Sequence, residues 1–254
     1  MEKLRQYYFV MQQIGYKEQR KKSNETSLGF VWNLLNPLLY MVILSTYYTN
    51  IIIHDIDRFP VFVFTGITIF NFYNSSTKTA MKSLVNNKNL LIKTKLPVEV
   101  FVINSIYSGF REFLFSSIAL IPICIYYKVH ITWRIILVIP ILLITASIIT
   151  SIGRILAICY TFFGDVEYLY SVLMSMLVFV SGTFLPLGNY PENIRYLLTY
   201  NPIFLSIILY RNSLMYGIQS HWSAWAKFLM WFLALLIFSR YIFDKKKDDC
   251  INML

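Results

Sequence analysis

The chain has 254 residues, of which 57% are hydrophobic and 14% are charged, and its formal net charge is +10. A soluble domain carries about a quarter charged residues. The composition therefore excludes an ordinary water-soluble core and predicts an all-α protein that has lipid as its solvent. In that setting the excess of Lys and Arg indicates loops on the cytoplasmic side of a membrane, not a nucleic-acid-binding surface.

Residues 1–22 predict an amphipathic helix that lies in the membrane interface. Apolar side chains recur on one helical face, at Leu4, Tyr7, Tyr8, Met11 and Ile14, and charged side chains lie opposite. A solvated helix is the alternative interpretation of the same spacing. The segment has no signal-peptide core.

Six apolar segments are long enough to cross a bilayer, and we expect them to form one bundle over residues 30–243. They cover residues 30–53, 61–81, 98–124, 133–160, 169–187 and 223–243. Basic residues before the first span and at Lys245–Lys247 place both termini in the cytoplasm, with 244–254 as a tail. No repeat or linker divides the chain, so residues 1–254 are predicted to be a single domain.

The first span begins with residues that are unusual in a membrane helix. Trp32 suits the interface, where indole rings are enriched. Pro37 removes a backbone hydrogen bond and permits a kink. Asn33 and Asn36 need polar partners in the bundle or along a transport path.

Aromatic side chains predict a path for sugar rings through the bundle. Tyr40 and Tyr47 share one face of the first span, and Phe70 and Tyr73 lie beside the amide- and hydroxyl-rich half of the second. Phe179 and Phe184 belong to the fifth span. Flat rings next to amides suit the C–H faces and hydroxyls of a glycan. Packing against lipid is the alternative for each of these residues.

Arg111 and Glu112 are adjacent charges inside the third span. Charges at membrane depth face the bundle interior and mark either function or pairing. Neighbours on a helix point about 100° apart, so the two side chains cannot meet one partner squarely. They either bind polar groups on other helices and hold the bundle together, or they contact substrate.

Residues 182–217 predict short external helices between the fifth and sixth spans. Pro191 suits the first turn of one helix, and Asn201-Pro202 ends it and starts another. The second helix has about 14 residues before Gly217, which is too short to span a bilayer. It is typical of a re-entrant or interfacial segment.

The sequence lacks the motifs that supply nucleotide binding or catalysis. No pair of glycines is spaced for a P-loop, and HExxH and GxSxG are absent. The three cysteines form no CxxC pair, and His54, His130 and His221 fall near predicted external rims. We therefore expect no catalytic residue, metal site or cofactor on this chain.

Several of these segments resemble ABC type-2 permeases, the membrane subunits of bacterial exporters. The entry of the first span matches at Leu28, Gly29, Trp32, Leu35 and Pro37, and the basic internal loop matches at Asn89, Leu91, Ile92, Lys93 and Pro97. The external stretch matches at Ser181-Gly182, Pro186, Pro191, Asn201-Pro202 and Arg211. The chain departs from the family at Gly164-Asp165, where Arg-Asp is common.

The resemblance is greatest to the exporters of lipid-linked O-antigen, capsule or teichoic acid. It implies a homodimer in the bacterial cytoplasmic membrane, paired with two ATPase subunits that bind ATP and Mg²⁺. It also implies that the internal loop couples to the ATPase through Asn86, Asn87, Lys88, Asn89, Leu90, Leu91, Ile92 and Lys93. The rivals are an exporter of a drug or small lipophile, and a membrane transferase. A transferase would need a carboxylate or histidine cluster at one membrane face.

Overall fold

The computed structural model describes residues 15, 29–51, 58–93 and 96–253, and every regular element in this part of the chain is helical. The α-helices are α1 (Trp32–Ile51), α2 (Phe59–Asn86), α3 (Lys88–Lys93), α4 (Glu99–Ile118), α5 (Leu120–Tyr126), α6 (Val138–Phe162), α7 (Val166–Leu177), α8 (Glu192–Leu198), α9 (Pro202–Arg211) and α10 (Trp222–Met253). The predicted interface helix at 1–22 lies outside the described residues, except for Gly15.

Three helical segments of the described chain are long and apolar enough to cross a membrane. They are Glu99–Tyr126, Trp133–Phe162 and Trp222–Ile251. The α-helical membrane class is thereby supported, although the predicted count of six spans is not established. Helix α2 is 28 residues long, but amides, hydroxyls and Lys78 make its second half polar. Helix α7 is apolar and has only 12 residues, fewer than a bilayer requires.

Two helix ends differ from the predicted spans. Helix α7 stops at Leu177, ten residues before the predicted end of the fifth span, and the chain turns at Gly182 with a positive φ of 67°. Helix α10 continues through the residues predicted as a tail. Two ion pairs, Lys246 with Asp249 (2.9 Å) and Lys247 with Asp244 (3.3 Å), each join residues one helical turn apart. Such pairs stabilise the extended helix.

Helix α2 is the centre of the bundle. Its most extensive contacts are with α4 and α6, and α1 and α9 also pack against it. Every residue from Val61 to Phe70 is buried. On the next turns Gly109 of α4 sits directly on Ser76, where a β-carbon would clash with the serine side chain. The absence of that β-carbon lets α4 approach α2 closely.

The segment between α7 and α10, which the sequence predicts to be external, folds back onto the bundle. Asn201 caps α9 by accepting a hydrogen bond from the Ile203 N–H at 2.9 Å, and Pro202 occupies the first turn. Helix α9 is largely buried and packs against α2, α6 and α10. It ends in a π-helical turn before Gly217, whose φ of 59° favours glycine. The predicted short helices are therefore present, and α9 is a core element.

Candidate functional site

A cleft of about 490 Å³, here called the aromatic cleft, is lined by α1, α2, α7 and the chain after α7. Helix α1 lines it with Tyr40 and Leu44, and α2 with Ile67, Phe70, Asn71, Asn74 and Lys78. Helix α7 and the chain after it add Met174, Ser175, Val178, Phe179 and Phe184. Because α2 packs against both α1 and α7, it forms the floor of the cleft.

Four of the six aromatic residues predicted for a substrate path lie in this cleft. They are Tyr40, Phe70, Phe179 and Phe184. The Phe179 and Phe184 rings are 5.7 Å apart at 54°, a tilted aromatic pair at one end of the cavity. Three different elements supply these rings: α1, α2 and the segment that follows the early end of α7.

The other two predicted path residues lie elsewhere. Tyr73 is 1% exposed, and its hydroxyl is 2.8 Å from the Ser206 hydroxyl of α9, away from the cleft. The structure therefore places Tyr73 in the core between α2 and α9. Tyr47 is half exposed on α1 and does not line the cleft.

A smaller polar cavity of about 190 Å³ adjoins the cleft and shares Asn71 and Asn74 with it. Its lining includes Asn33 and Asn36, the two amides at the start of the first span. The Ser116 hydroxyl donates to the backbone carbonyl of Asn33 at 2.8 Å and ties α1 to α4. Both amides of the first span thus line a cavity that they share with polar groups of α2 and α4.

The adjacent charges of α4 point in different directions, as their spacing predicts. Glu112 lines the polar cavity and accepts a hydrogen bond from the Ser75 hydroxyl at 2.8 Å, which links α4 to α2. The Arg111 guanidinium lies 4.9 Å from the Tyr107 ring centre and against Gly15, on another side of the helix. Neither residue lines the aromatic cleft.

The predicted ATPase-coupling loop combines the end of α2 with the short helix α3. Asn86 ends α2, and the Asn87 side chain donates to the Ser83 carbonyl at 2.9 Å. Within α3, Leu91 is 5% exposed and packs into the core, whereas Ile92 is 58% exposed. The apolar surface available to a partner is therefore centred on Ile92. Leu91 anchors the loop from inside.

Arg211 is a structural residue to which the sequence pattern assigned no role. It is 2% exposed and donates hydrogen bonds to the carbonyls of Gly182 (2.6 Å), Thr183 (2.8 Å) and Phe62 (2.7 Å). Its guanidinium carbon also lies 3.5 Å from the Phe62 ring centre, a cation–π contact. These bonds fix the turn that carries Phe184 into the cleft. An arginine at the end of an Asn-Pro-capped apolar helix is the available sequence signal.

Two ion pairs hold the end of the bundle opposite Arg211. Lys82 of α2 is 2.5 Å from Glu167 of α7, and Arg154 of α6 is 3.8 Å from Glu99 of α4. Gly164 lies in the short connection before α7, is exposed, and has open space where a β-carbon would be. The position at which the family often has arginine therefore has room for a side chain.

These features define a multi-pass α-helical membrane protein with a cleft lined by aromatic and amide side chains. In the described ranges no group of three or more His, Cys, Asp or Glu residues could hold a metal ion. Residues 10–215 match the family described as ABC-2 type transporter, and the chain belongs to that family. Its resemblance to ABC type-2 permeases is confirmed.

The curated relatives of this chain include O-antigen export permeases and a polysialic acid transport protein. It is 24% identical over 186 residues to an O-antigen export system permease protein, RfbA, of Myxococcus xanthus, covering 73% of this chain and 72% of the relative. An RfbA of the same description from Klebsiella pneumoniae is 23% identical over 235 residues, covering 92% and 90%. The polysialic acid transport protein KpsM of Escherichia coli is 20% identical over 221 residues, covering 82% of each chain.

Proposed function

We propose that this chain is the membrane subunit of an exporter that moves a lipid-linked polysaccharide across the bacterial cytoplasmic membrane. The observation that carries the proposal is the aromatic cleft, where four rings from three elements line a cavity together with two amides. The names of the curated relatives, which include O-antigen and polysialic acid transporters, favour the same class of cargo.

The lining of the cleft suits a sugar chain that moves. Aromatic rings offer flat surfaces to the C–H faces of sugars, while Asn71 and Asn74 can exchange hydrogen bonds with hydroxyls. Stacking on such rings is worth about 1 to 3 kcal/mol for a nucleic-acid base, and we expect less for a sugar. Several weak contacts allow the chain to slide, whereas one strong site would hold it.

The proposed assembly is a homodimer with two ATPase subunits. Tyr40 and Phe179, on opposite walls of the cleft, remain 55% and 65% exposed in the single chain. A second copy facing them would enclose the path. ATP and Mg²⁺ would bind to the ATPase, which docks on α3 beside the exposed Ile92. We place α3 and both termini in the cytoplasm, in accord with the basic residues of 82–97.

The test is genetic and chemical. A deletion strain of the source bacterium should lack the surface polysaccharide and accumulate lipid-linked glycan inside the cell. A plasmid copy of the wild-type gene should restore the surface polymer. The double variant Tyr40→Ala with Phe179→Ala should restore it poorly, because it removes both facing walls of the cleft.

The control pair is Phe238→Ala with Tyr241→Ala. These rings are 55% and 65% exposed on α10, far along the chain from every residue that lines the cleft. They should support normal export at equal protein level in the membrane. Unchanged surface polysaccharide in the deletion strain, together with altered sensitivity to a lipophilic drug, would instead support the small-lipophile exporter.

A further inference from the structure

Lys227 lies near the start of helix α10, inside one of the segments that are apolar enough to cross a membrane. It is partly buried, and it follows Trp222, the first residue of the helix, by five positions, or about 7.5 Å along the axis. Trp222 is exposed, and an indole at this place suits the membrane–water interface. In the proposed orientation the ammonium group therefore lies close to the external surface of the hydrocarbon layer.

The ammonium group of Lys227 is held by neutral partners from the segment between α8 and α9. Its Nζ donates to the Thr199 hydroxyl at 3.3 Å and lies 4.1 Å from the centre of the Tyr200 ring. In the part of the chain that the structure describes, no carboxylate forms an ion pair with this lysine. An ammonium group has three donor hydrogens, so it retains both a positive charge and a donor for a ligand.

Hydrogen bonds fix the partners of Lys227 in place. Trp231, one turn further along α10, donates its indole N–H to the Tyr200 carbonyl at 2.6 Å. The Thr199 hydroxyl donates to the Tyr196 carbonyl at 2.8 Å, which leaves its oxygen free to accept from the lysine. The Tyr196 and Tyr200 rings are 5.2 Å apart at 56°, and Tyr196 is 65% exposed. The cluster is therefore ordered on the side of the protein and open on the side of its surroundings.

An apolar stripe continues from Lys227 toward the middle of α10. Met230, Ile237 and Phe238 lie within about a quarter turn of Lys227 around the helix axis, and more than half of each side chain is exposed. Charge at one end of such a stripe and apolar surface along the rest match the two parts of an amphiphile. Its head group would contact the lysine, and its acyl chains would lie along the stripe.

A phospholipid with a net negative head group fits this arrangement best. Its phosphate oxygens accept charge-assisted hydrogen bonds from an ammonium group and further bonds from tyrosine hydroxyls. A zwitterionic head group has its own cation beside the phosphate, which competes with the lysine for the same oxygens. An uncharged sugar would leave the ammonium group without an anion, at a depth where an unpaired charge is costly.

We propose that Lys227, with Tyr196, Thr199 and Tyr200, binds the phosphate of an anionic phospholipid in the outer leaflet of the membrane. The site shares no residue with the lining of the aromatic cleft. The bound lipid would join the end of α8 to the start of α10 and stabilise the segment between them. The proposal is independent of the cargo, because it concerns a lipid that surrounds the protein.

The probes are phosphatidylglycerol and phosphatidylcholine with identical acyl chains. The full-length chain, with any ATPase subunit that accompanies it, is stripped of lipid in a mild detergent, and binding of each probe is measured by native mass spectrometry. Wild-type protein should bind its tightest phosphatidylglycerol about threefold to tenfold more strongly than phosphatidylcholine, the range expected of one partly exposed charge pair.

Lys227→Met should remove this preference and leave phosphatidylcholine binding unchanged, whereas Lys227→Arg should retain it. Lys227→Gln keeps a donor for Thr199 without the charge and should also lose the preference, so the test does not depend on the folding of the methionine variant. The matched control Lys128→Met removes an exposed lysine at the same predicted membrane surface and should leave the preference intact. A preference that survives in Lys227→Gln, or is lost equally in Lys128→Met, overturns the proposal.

A second arm adds glycerol 3-phosphate, which has a phosphate group but no acyl chain. It should not displace the bound phosphatidylglycerol, because it cannot contact the apolar stripe below Lys227. Displacement would assign the lysine to free phosphate in solution and overturn the lipid site. Either outcome is distinguishable from failure of the proposed function, since neither probe carries a glycan and export is measured separately in the deletion strain.

Discussion

Replacement of Arg211 by methionine should loosen the turn that carries Phe184 into the aromatic cleft. Methionine keeps much of the volume of the side chain but removes every donor. The carbonyls of Gly182 and Thr183 then remain buried without their donors, at 2.6 Å and 2.8 Å in the native structure. The Phe62 carbonyl keeps the Thr65 hydroxyl as a donor at 2.9 Å and is less affected.

The expected size of the effect comes from these two carbonyls. A buried acceptor that loses its hydrogen-bond partner lowers the free energy of unfolding by about 1 to 3 kcal/mol. Part of this is offset, because a buried guanidinium and its desolvation cost are removed at the same time. We expect a net loss of about 2 to 4 kcal/mol, which corresponds to a drop in melting temperature on the order of 10 °C for a chain of this size.

The assay is thermal unfolding in detergent, followed by the fluorescence of a thiol dye that reacts with the buried Cys124. The melting temperature of Arg211→Lys should lie between those of Arg211→Met and the wild type, because an ammonium group cannot reproduce the planar guanidinium that reaches three carbonyls. Arg240→Met, at an exposed position of α10, is the matched control. A melting temperature for Arg211→Met equal to that of this control would refute the assignment of Arg211 as the residue that fixes the turn.

Three further predictions concern the loop, the turn and the orientation. Ile92→Asp should abolish stimulation of a partner ATPase without loss of stability, whereas Leu91→Asp should lower the melting temperature, because only Leu91 is buried. Gly66→Ala should lower the free energy of unfolding by about 1 to 3 kcal/mol, because the added β-carbon would clash with the buried Arg211 guanidinium and lie 2.7 Å from the Thr183 carbonyl. The control Gly188→Ala has open space around its β-carbon and should leave the melting temperature unchanged. In a cysteine-free background of intact cells, Lys128→Cys should react with an impermeant thiol reagent and Ile92→Cys should not; the opposite labelling would reverse the topology.

The sequence alone was sufficient for the membrane class, the family and most helix positions. Long apolar segments can satisfy their backbone in lipid only as helices or barrels, so composition and length restrict the fold strongly. Local chemistry also predicted the start of α9, because Asn201-Pro202 both ends one segment and caps the next. The early end of α7 was missed, since the residues after Leu177 remain apolar while the turn at Gly182 is stabilised by distant partners.

The tertiary structure decided which predicted residues share a site. Phe70 and Tyr73 are three positions apart on α2, yet Phe70 lines the cleft and Tyr73 bonds to Ser206. Helical spacing defines a stripe of side chains, but it does not say which helix covers each part of that stripe. The same limit separates Leu91, which is buried, from Ile92, which is exposed.

Arg211 shows the limit most directly. Its acceptors belong to Phe62, Gly182 and Thr183, which are brought together only when α9 folds back against α2. Sequence identifies a charge in an apolar setting and predicts that it needs partners. The identity of those partners depends on long-range packing, because the nearest of them is 28 positions away in the chain.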